Sequence, residues 1–284
     1  TGNPVSRASF EVSHRDFIRR ICELRDEIRT NEKLAERIRY KYSIKNVTGL
    51  NLLPFVRFDD PFEIIAHLMV GSEGTLAFLS EVTMKTEYDY PYKASAMLYF
   101  KTIKEASRAV VAMKKLVDET GEWTVKGAEM LDYKSLSSVN DPVFLKYKGK
   151  VASSALPGVE PGETGLTAVL TETKARTPEE LQQNISAIEA CLQAFTTYIP
   201  VRFTDRPEEY SKYWAIRSGI FPSVGGTRQP GTTCLIEDIA FHIEDLPEAT
   251  AELQQLIARH GYNDACIYGH TTSSSTSPSV PKRK

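Results

Sequence analysis

The chain has 284 residues, 41% of them hydrophobic and 25% charged, so it can bury a sizeable core and is not a disordered protein. Lys and Arg number 35 against 37 Asp and Glu, and this near-neutral balance of −2 argues against nucleic acid as a partner. No run of eighteen apolar residues or signal-peptide pattern occurs, and the separations of Cys22, Cys191, Cys234 and Cys266 contain no CxxC pair, so buried free thiols are expected rather than a zinc or iron–sulfur site.

Apolar residues Phe17, Ile18, Ile21, Leu24 and Ile28 recur at helical spacing, predicting one or two amphipathic helices over Ser9–Tyr42. Asp60-Pro61-Phe62-Glu63 is a helix start, and Gly71 can end that helix. Leu76–Lys85 reads as a strand burying Leu76, Phe78 and Val82. From Lys93 a strand–helix rhythm follows: strand Ala94–Phe100, helix Ile103–Val117, strand Thr124–Met130. Proline and glycine then predict a long loop or lid over 141–163. Strand Leu166–Thr173, a helix opened by Thr177-Pro178-Glu179-Glu180, and strand Tyr198–Phe203 come next. Asp205-Arg206-Pro207-Glu208 opens a helix carrying Trp214 and Arg217, with Gly225-Gly226 in the loop beyond it. Strand Cys234–Phe241, a helix from Asp245-Leu246-Pro247-Glu248, and strand Ala265–Tyr268 complete the pattern. The rhythm occurs roughly twice and lacks βαβ glycine fingerprints. It predicts an α+β fold, an antiparallel sheet with helices on one face, and a boundary near 86–92. Thr271–Lys284 has no apolar period and is expected to be disordered.

Gly71-Ser72-Glu73-Gly74-Thr75 allows positive φ and close approach of a ligand to the backbone. It is equally the pattern of a helix C-cap followed by a tight turn. No GxxxxGK follows, so it is not a P-loop. Glu237-Asp238 interrupts an apolar strand and has no assigned role; His14, His67, His242 and His260 match no ligand spacing.

Three stretches carry a resemblance: Lys45-Asn46-Val47-Thr48-Gly49-Leu50-Asn51, then His67–Leu76 with its GSEGT string, and Tyr268-Gly269-His270. Together they resemble FAD-linked oxidoreductases of the vanillyl-alcohol oxidase / p-cresol methylhydroxylase superfamily. Within it they are most similar to large bacterial FAD and iron–sulfur D-lactate / D-2-hydroxyglutarate dehydrogenases. The resemblance implies that residues 1–88 are the second half of a PCMH-type FAD-binding domain, and 89–270 a duplicated ferredoxin-like cap holding substrate. Leu50 departs from the family's aromatic residue.

The resemblance implies FAD contacts at Lys45, Asn46, Thr48, Gly49, Gly71, Ser72, Glu73, Gly74 and Thr75. It implies that Arg217 clamps a substrate carboxylate and that His270 accepts the hydroxyl proton. Relatives that use a divalent metal continue GH-x-[DE]-G-N-x-H; this chain keeps only Gly269-His270, so His270 lacks partner ligands. Iron–sulfur clusters belong outside this chain. The implied partners are a small 2-hydroxy acid and a non-NAD electron acceptor, in the cytoplasm with room for peripheral contact with the inner membrane face. Thr271–Pro278 matches a one-base frameshift of the family's usual continuation, so the chain reads as a fragment with a frameshifted tail; a natural linker is the other reading. A non-catalytic ligand-binding or assembly module is the alternative function.

Overall fold

The computed structural model describes residues 3–46, 49–84, 86, 88–151, 165–228, 230–236, 239–262, 265–271 and 275–282. The chain divides into two units, 1–87 and 88–284.

The first unit is helical. Its N-terminal third forms three helices rather than one or two: α1 (Pro4–Ser13), α2 (Arg15–Thr30) and α3 (Glu32–Lys41), followed by α4 (Leu53–Arg57) and α5 (Pro61–Leu68). The breaks at His14 and Asn31 leave helical φ/ψ, and the Asn31 side chain accepts from Leu34 N to start α3. Asp60 caps α5 as predicted, accepting from Phe62 N, and Arg7 pairs with its other oxygen. Ile21, Phe55, Ile64 and Leu68 form the small core. Arg29 ties α2 to the carbonyls of Phe55 and Phe58.

The predicted strand after α5 is absent among the described residues. Residues 76–84 carry no ladder, and Leu76, Phe78 and Val82 are exposed, Phe78 at 90%. Alternating apolar residues make a strand only where a partner satisfies the backbone, and none pairs here.

The second unit is built on one antiparallel sheet. Its elements in chain order are β1 (Tyr92–Phe100), α6 (Ile103–Met113), β2 (Gly127–Leu131), α7 (Tyr133–Ser138), α8 (Pro142–Val151), β3 (Thr167–Ala175), α9 (Pro178–Leu192), α10 (Pro207–Thr227), β4 (Thr233–Ile236), β5 (Ile239–Ala240), α11 (Leu246–Arg259), β6 (Cys266–His270) and β7 (Ser275–Lys282). The strand order is β1-β3-β2-β6-β7-β4, with β5 also on β7. Read from either end, the order repeats: β1–α6–β2–β3 and β4–α11–β6–β7 each place their last strand between the other two. The two triplets join edge to edge through β2 and β6, where Glu129 faces His270 and Leu131 faces Tyr268. Tyr198–Phe203, predicted as a strand, forms no strand of its own; the segment meets β1 at isolated bridges Phe100–Thr197 and Ser95–Thr204 and through Tyr198 N to the Tyr99 carbonyl.

Helices cover both faces of the sheet, not one. Ala96, Leu98 and Phe100 pack with α6 and α9, while Met97 and Tyr99 pack with α7, α8 and α10. The cause is visible in β1, which is buried without interruption from Ala94 to Phe100 and so needs cover on each side.

Other expectations are corrected. Pro142–Val151 is α8, not loop; Asp141 makes it so by accepting from Val143 N and Phe144 N. The remainder of that predicted lid, 152–164, lies outside the described residues. α10 runs through Gly225-Gly226, and its N-cap is Arg206, not Asp205. Asp245 makes no capping bond, because a 3-10 turn over Ile243–Asp245 precedes α11. Cys22 and Cys191 are only partly buried, whereas Cys266 is buried. Finally, Ser275–Lys282, expected to be disordered, is β7, paired with β6 on one side and with β4 and β5 on the other. Ladder bonds are backbone bonds and need no apolar period. Pro278 and Pro281 contribute no N–H to them.

Candidate functional site

The site centres on a residue the sequence did not single out. Glu129 lies in β2 between Ala128 and Met130, and its side chain is 4% exposed. Burying a carboxylate in an apolar strand is costly unless charge and hydrogen bonds compensate. Both do here. Arg217 Nε donates to Glu129 Oε2 at 2.8 Å, and His270 Nδ1 contacts Glu129 Oε1. The register supplies His270, which stands directly across from Glu129. α10 supplies Arg217 from mid-helix, its guanidinium 5.2 Å above the Tyr268 ring. A planar cation over an aromatic face holds one orientation, which adds to the hydrogen bond.

α10 is held on this face by other contacts. Trp214 Nε1 reaches Ser95 Oγ at 3.4 Å, and Ser223 Oγ donates to the carbonyl of Ser138. Tyr99 OH donates to buried Asp141 Oδ2 at 2.9 Å; burial raises the phenol pKa, reinforced by the Asp141 charge. Below β2, Asp132 accepts from Ser135 N and Ser135 Oγ to start α7. Burial pushes its carboxyl up to about 6, against those hydrogen bonds.

Arg217 and His270 therefore converge on one carboxylate. His270 is the exposed member, with 58% of its side chain open, while Arg217 is 22% exposed. Gly269 has φ 150°, a backbone state reserved for glycine, immediately before it. No group of three or more His, Cys, Asp or Glu side chains able to hold a metal ion exists among the described residues, and His270 Nδ1 is already committed to Glu129. The signal that could have found Glu129 is the one used for Glu237-Asp238: an acid inside an apolar strand. Glu237 and Asp238 themselves lie outside the described residues.

In the first unit, Gly71–Thr75 is a turn following α5. Gly71 (φ 81°), Glu73 (φ 50°) and Gly74 (φ 75°) all take left-handed conformations. Thr75 N and Thr75 Oγ1 both donate to the Ser72 carbonyl, and Ser72 is buried. Added Cβ atoms at Gly71 and Gly74 would meet nothing within 4 Å, so the space beside each Cα is open to a flat or anionic group. That fits one wall of a flavin site. Lys45 is exposed and Asn46 half-buried in the segment after α3; Gly49 has φ 74°, and Thr48 lies outside the described residues.

A solved structure of alkyldihydroxyacetonephosphate synthase superposes with a TM-score of 0.55 at 14% identity, over 79% of this chain and 43% of that one. A second crystal form of that protein gives 0.48 at 12%, over 76% and 40%. 4-Ethylphenol oxidase from Gulosibacter chungangensis gives 0.40 at 10%, over 68% and 39%. The chain thus spans less than half the length of these proteins, and the first of them supports the fold alone. No curated protein matches. The model of the family "FAD linked oxidases, C-terminal domain" matches residues 90–280, which is nearly all of the second unit including most of β7. The chain belongs to the FAD-linked oxidases, through their C-terminal domain.

Proposed function

We propose that the chain is part of a flavin-linked dehydrogenase for a D-2-hydroxy acid of the D-lactate or D-2-hydroxyglutarate type. What supports the reading is one observation: Arg217 and His270, a carboxylate clamp and a base, share the carboxylate of Glu129. Arg217 keeps its Nη hydrogens for the substrate carboxylate, because its hydrogen bond to Glu129 uses Nε. His270 takes the substrate hydroxyl proton as the C2–H bond breaks, leaving a 2-oxo acid. FAD, when bound, supplies the hydride acceptor. On this reading residues 1–88 form the second half of a PCMH-type flavin domain. Gly71–Thr75, with Lys45, Asn46, Thr48 and Gly49, would hold the cofactor. The second unit is the duplicated ferredoxin-like cap, and the electrons leave to a non-NAD acceptor outside this chain.

The test is a titration of the purified chain with D-lactate and D-2-hydroxyglutarate, followed by the fluorescence of Trp214, which sits on the same helix as Arg217. A Trp123→Phe background isolates the signal. Saturable change that Arg217→Ala abolishes is expected; no response to either acid overturns the substrate assignment.

A further inference from the structure

We propose that Glu129 is the positioning residue of this site and that it fixes the working nitrogen of His270 as Nε2. The inference refines the reading above but stands on its own geometry. Glu129 spends one oxygen on each partner: Oε2 on Arg217 and Oε1 on His270. A carboxylate can only accept, so the imidazole nitrogen facing it must carry the proton. That nitrogen is Nδ1. In the neutral ring the free lone pair is then on Nε2, the edge away from the buried carboxylate, on a side chain that is 58% exposed. Free imidazole side chains in water favour the opposite tautomer, with the proton on Nε2, which cannot accept a proton there. Glu129 thus converts an ordinary histidine into one with an outward-facing acceptor.

The same carboxylate sets the arginine. Among the described residues Arg217 makes one hydrogen bond, through Nε to Glu129. The guanidinium plane is fixed at that edge and by Tyr268 beneath it. Glu129 itself cannot swing away. Its cross-strand neighbours are Leu170 in β3 and His270 in β6, and Leu131 and Tyr268 pack in the core beside it. An incoming anion meets a cation already neutralised on one edge and an imidazole already turned. Such preorganisation is what orientation-dependent catalysis requires.

The experiment is long-range 1H–15N correlation NMR on the whole chain labelled at histidine, at a pH where the ring is neutral, with His270→Gln to assign the signal. Wild type is expected to show the Nδ1–H tautomer at His270. Glu129→Leu and Glu129→Ala, which remove the acceptor, are expected to move it to the Nε2–H form, and Glu129→Asp to recover part of the Nδ1–H population. A merely structural role would lower the melting temperature and leave the tautomer alone. A wild-type His270 in the Nε2–H form overturns the proposal, even if the variants fail to fold. So does a tautomer unchanged in a folded Glu129→Leu. Failure of 2-hydroxy acids to bind would instead strike the substrate assignment and leave the tautomer result standing.

Discussion

Ser107 and Thr250 meet at 3.1 Å in the core, the fifth residues of α6 and α11 respectively. Thr250 spends its proton on the Leu246 carbonyl at 2.7 Å, so Ser107 is the donor between them. α6 and α11 are the matching helices of the two strand–helix repeats, and this bond joins them on the face of the sheet opposite Arg217. A double-mutant cycle with Ser107→Ala and Thr250→Val should give a coupling of about 0.5–1.5 kcal/mol in denaturant unfolding, the size of one buried neutral hydrogen bond. Strict additivity would show that the helices do not meet there.

Removing Arg217 should harm stability more than removing Ser107. Arg217→Ala leaves the Glu129 carboxylate buried with only an exposed imidazole beside it, and loss of one member of a buried pair typically costs about 3–5 kcal/mol. Arg217→Leu combined with Glu129→Leu should restore most of that loss, since no buried charge remains. Urea midpoints of the single and double variants decide the matter; a double variant as unstable as Arg217→Ala counts against the pair.

Asp132 makes stability depend on mild acid. Its folded pKa lies near 6 because burial disfavours the carboxylate, above an ordinary value of 3.8. Between those values the native state binds more protons than the unfolded chain. This group's contribution is therefore fully present below pH 4 and is lost as pH rises through 6, by roughly 3 kcal/mol. Asp132→Asn keeps the Oδ1 acceptor for Ser135 and removes the titration. The variant should gain on wild type as pH rises from 4 to 7, as read from melting curves at each pH. A gap constant with pH would show that Asp132 is ionised in the folded protein throughout that range.

Gly74 is the position where a side chain should matter most in the first unit. Its φ of 75° strains any β-branched residue, while the space beside its Cα is open. Gly74→Val should cost about 1–2 kcal/mol in folding. Gly74→Ala, with less bulk, separates strain from obstruction. Quenching of FAD fluorescence on titration with the chain should weaken in the order wild type, Gly74→Ala, Gly74→Val; equal quenching by all three would remove the turn from the cofactor site.

The sequence made the local signals legible and the long-range ones only in part. Asp60 and Thr177 announce their helices because a cap is written within four residues, and both side chains accept the expected amide. Neither the Arg217 stretch nor the His270 stretch says that the two side chains share one acid. Glu129 escaped because its partners lie on another strand and on a helix 88 residues onward. The exposure of Phe78 and the pairing of Ser275–Lys282 were misjudged for one reason. Whether a stretch is a strand depends on the neighbour that completes its ladder, which the stretch itself does not encode.

The seam between β2 and β6 has a kinetic corollary. Glu129 comes from one repeat, His270 from the other, and Ser107 and Thr250, which brace the same junction, are 143 residues apart. Contacts so distant along the chain carry a large closure entropy and form late. Each repeat could gain its own helices and hairpins first, with the carboxylate still waiting for its histidine. The site would therefore report the last step of folding: a signal from His270 should recover more slowly after dilution from urea than helical circular dichroism does.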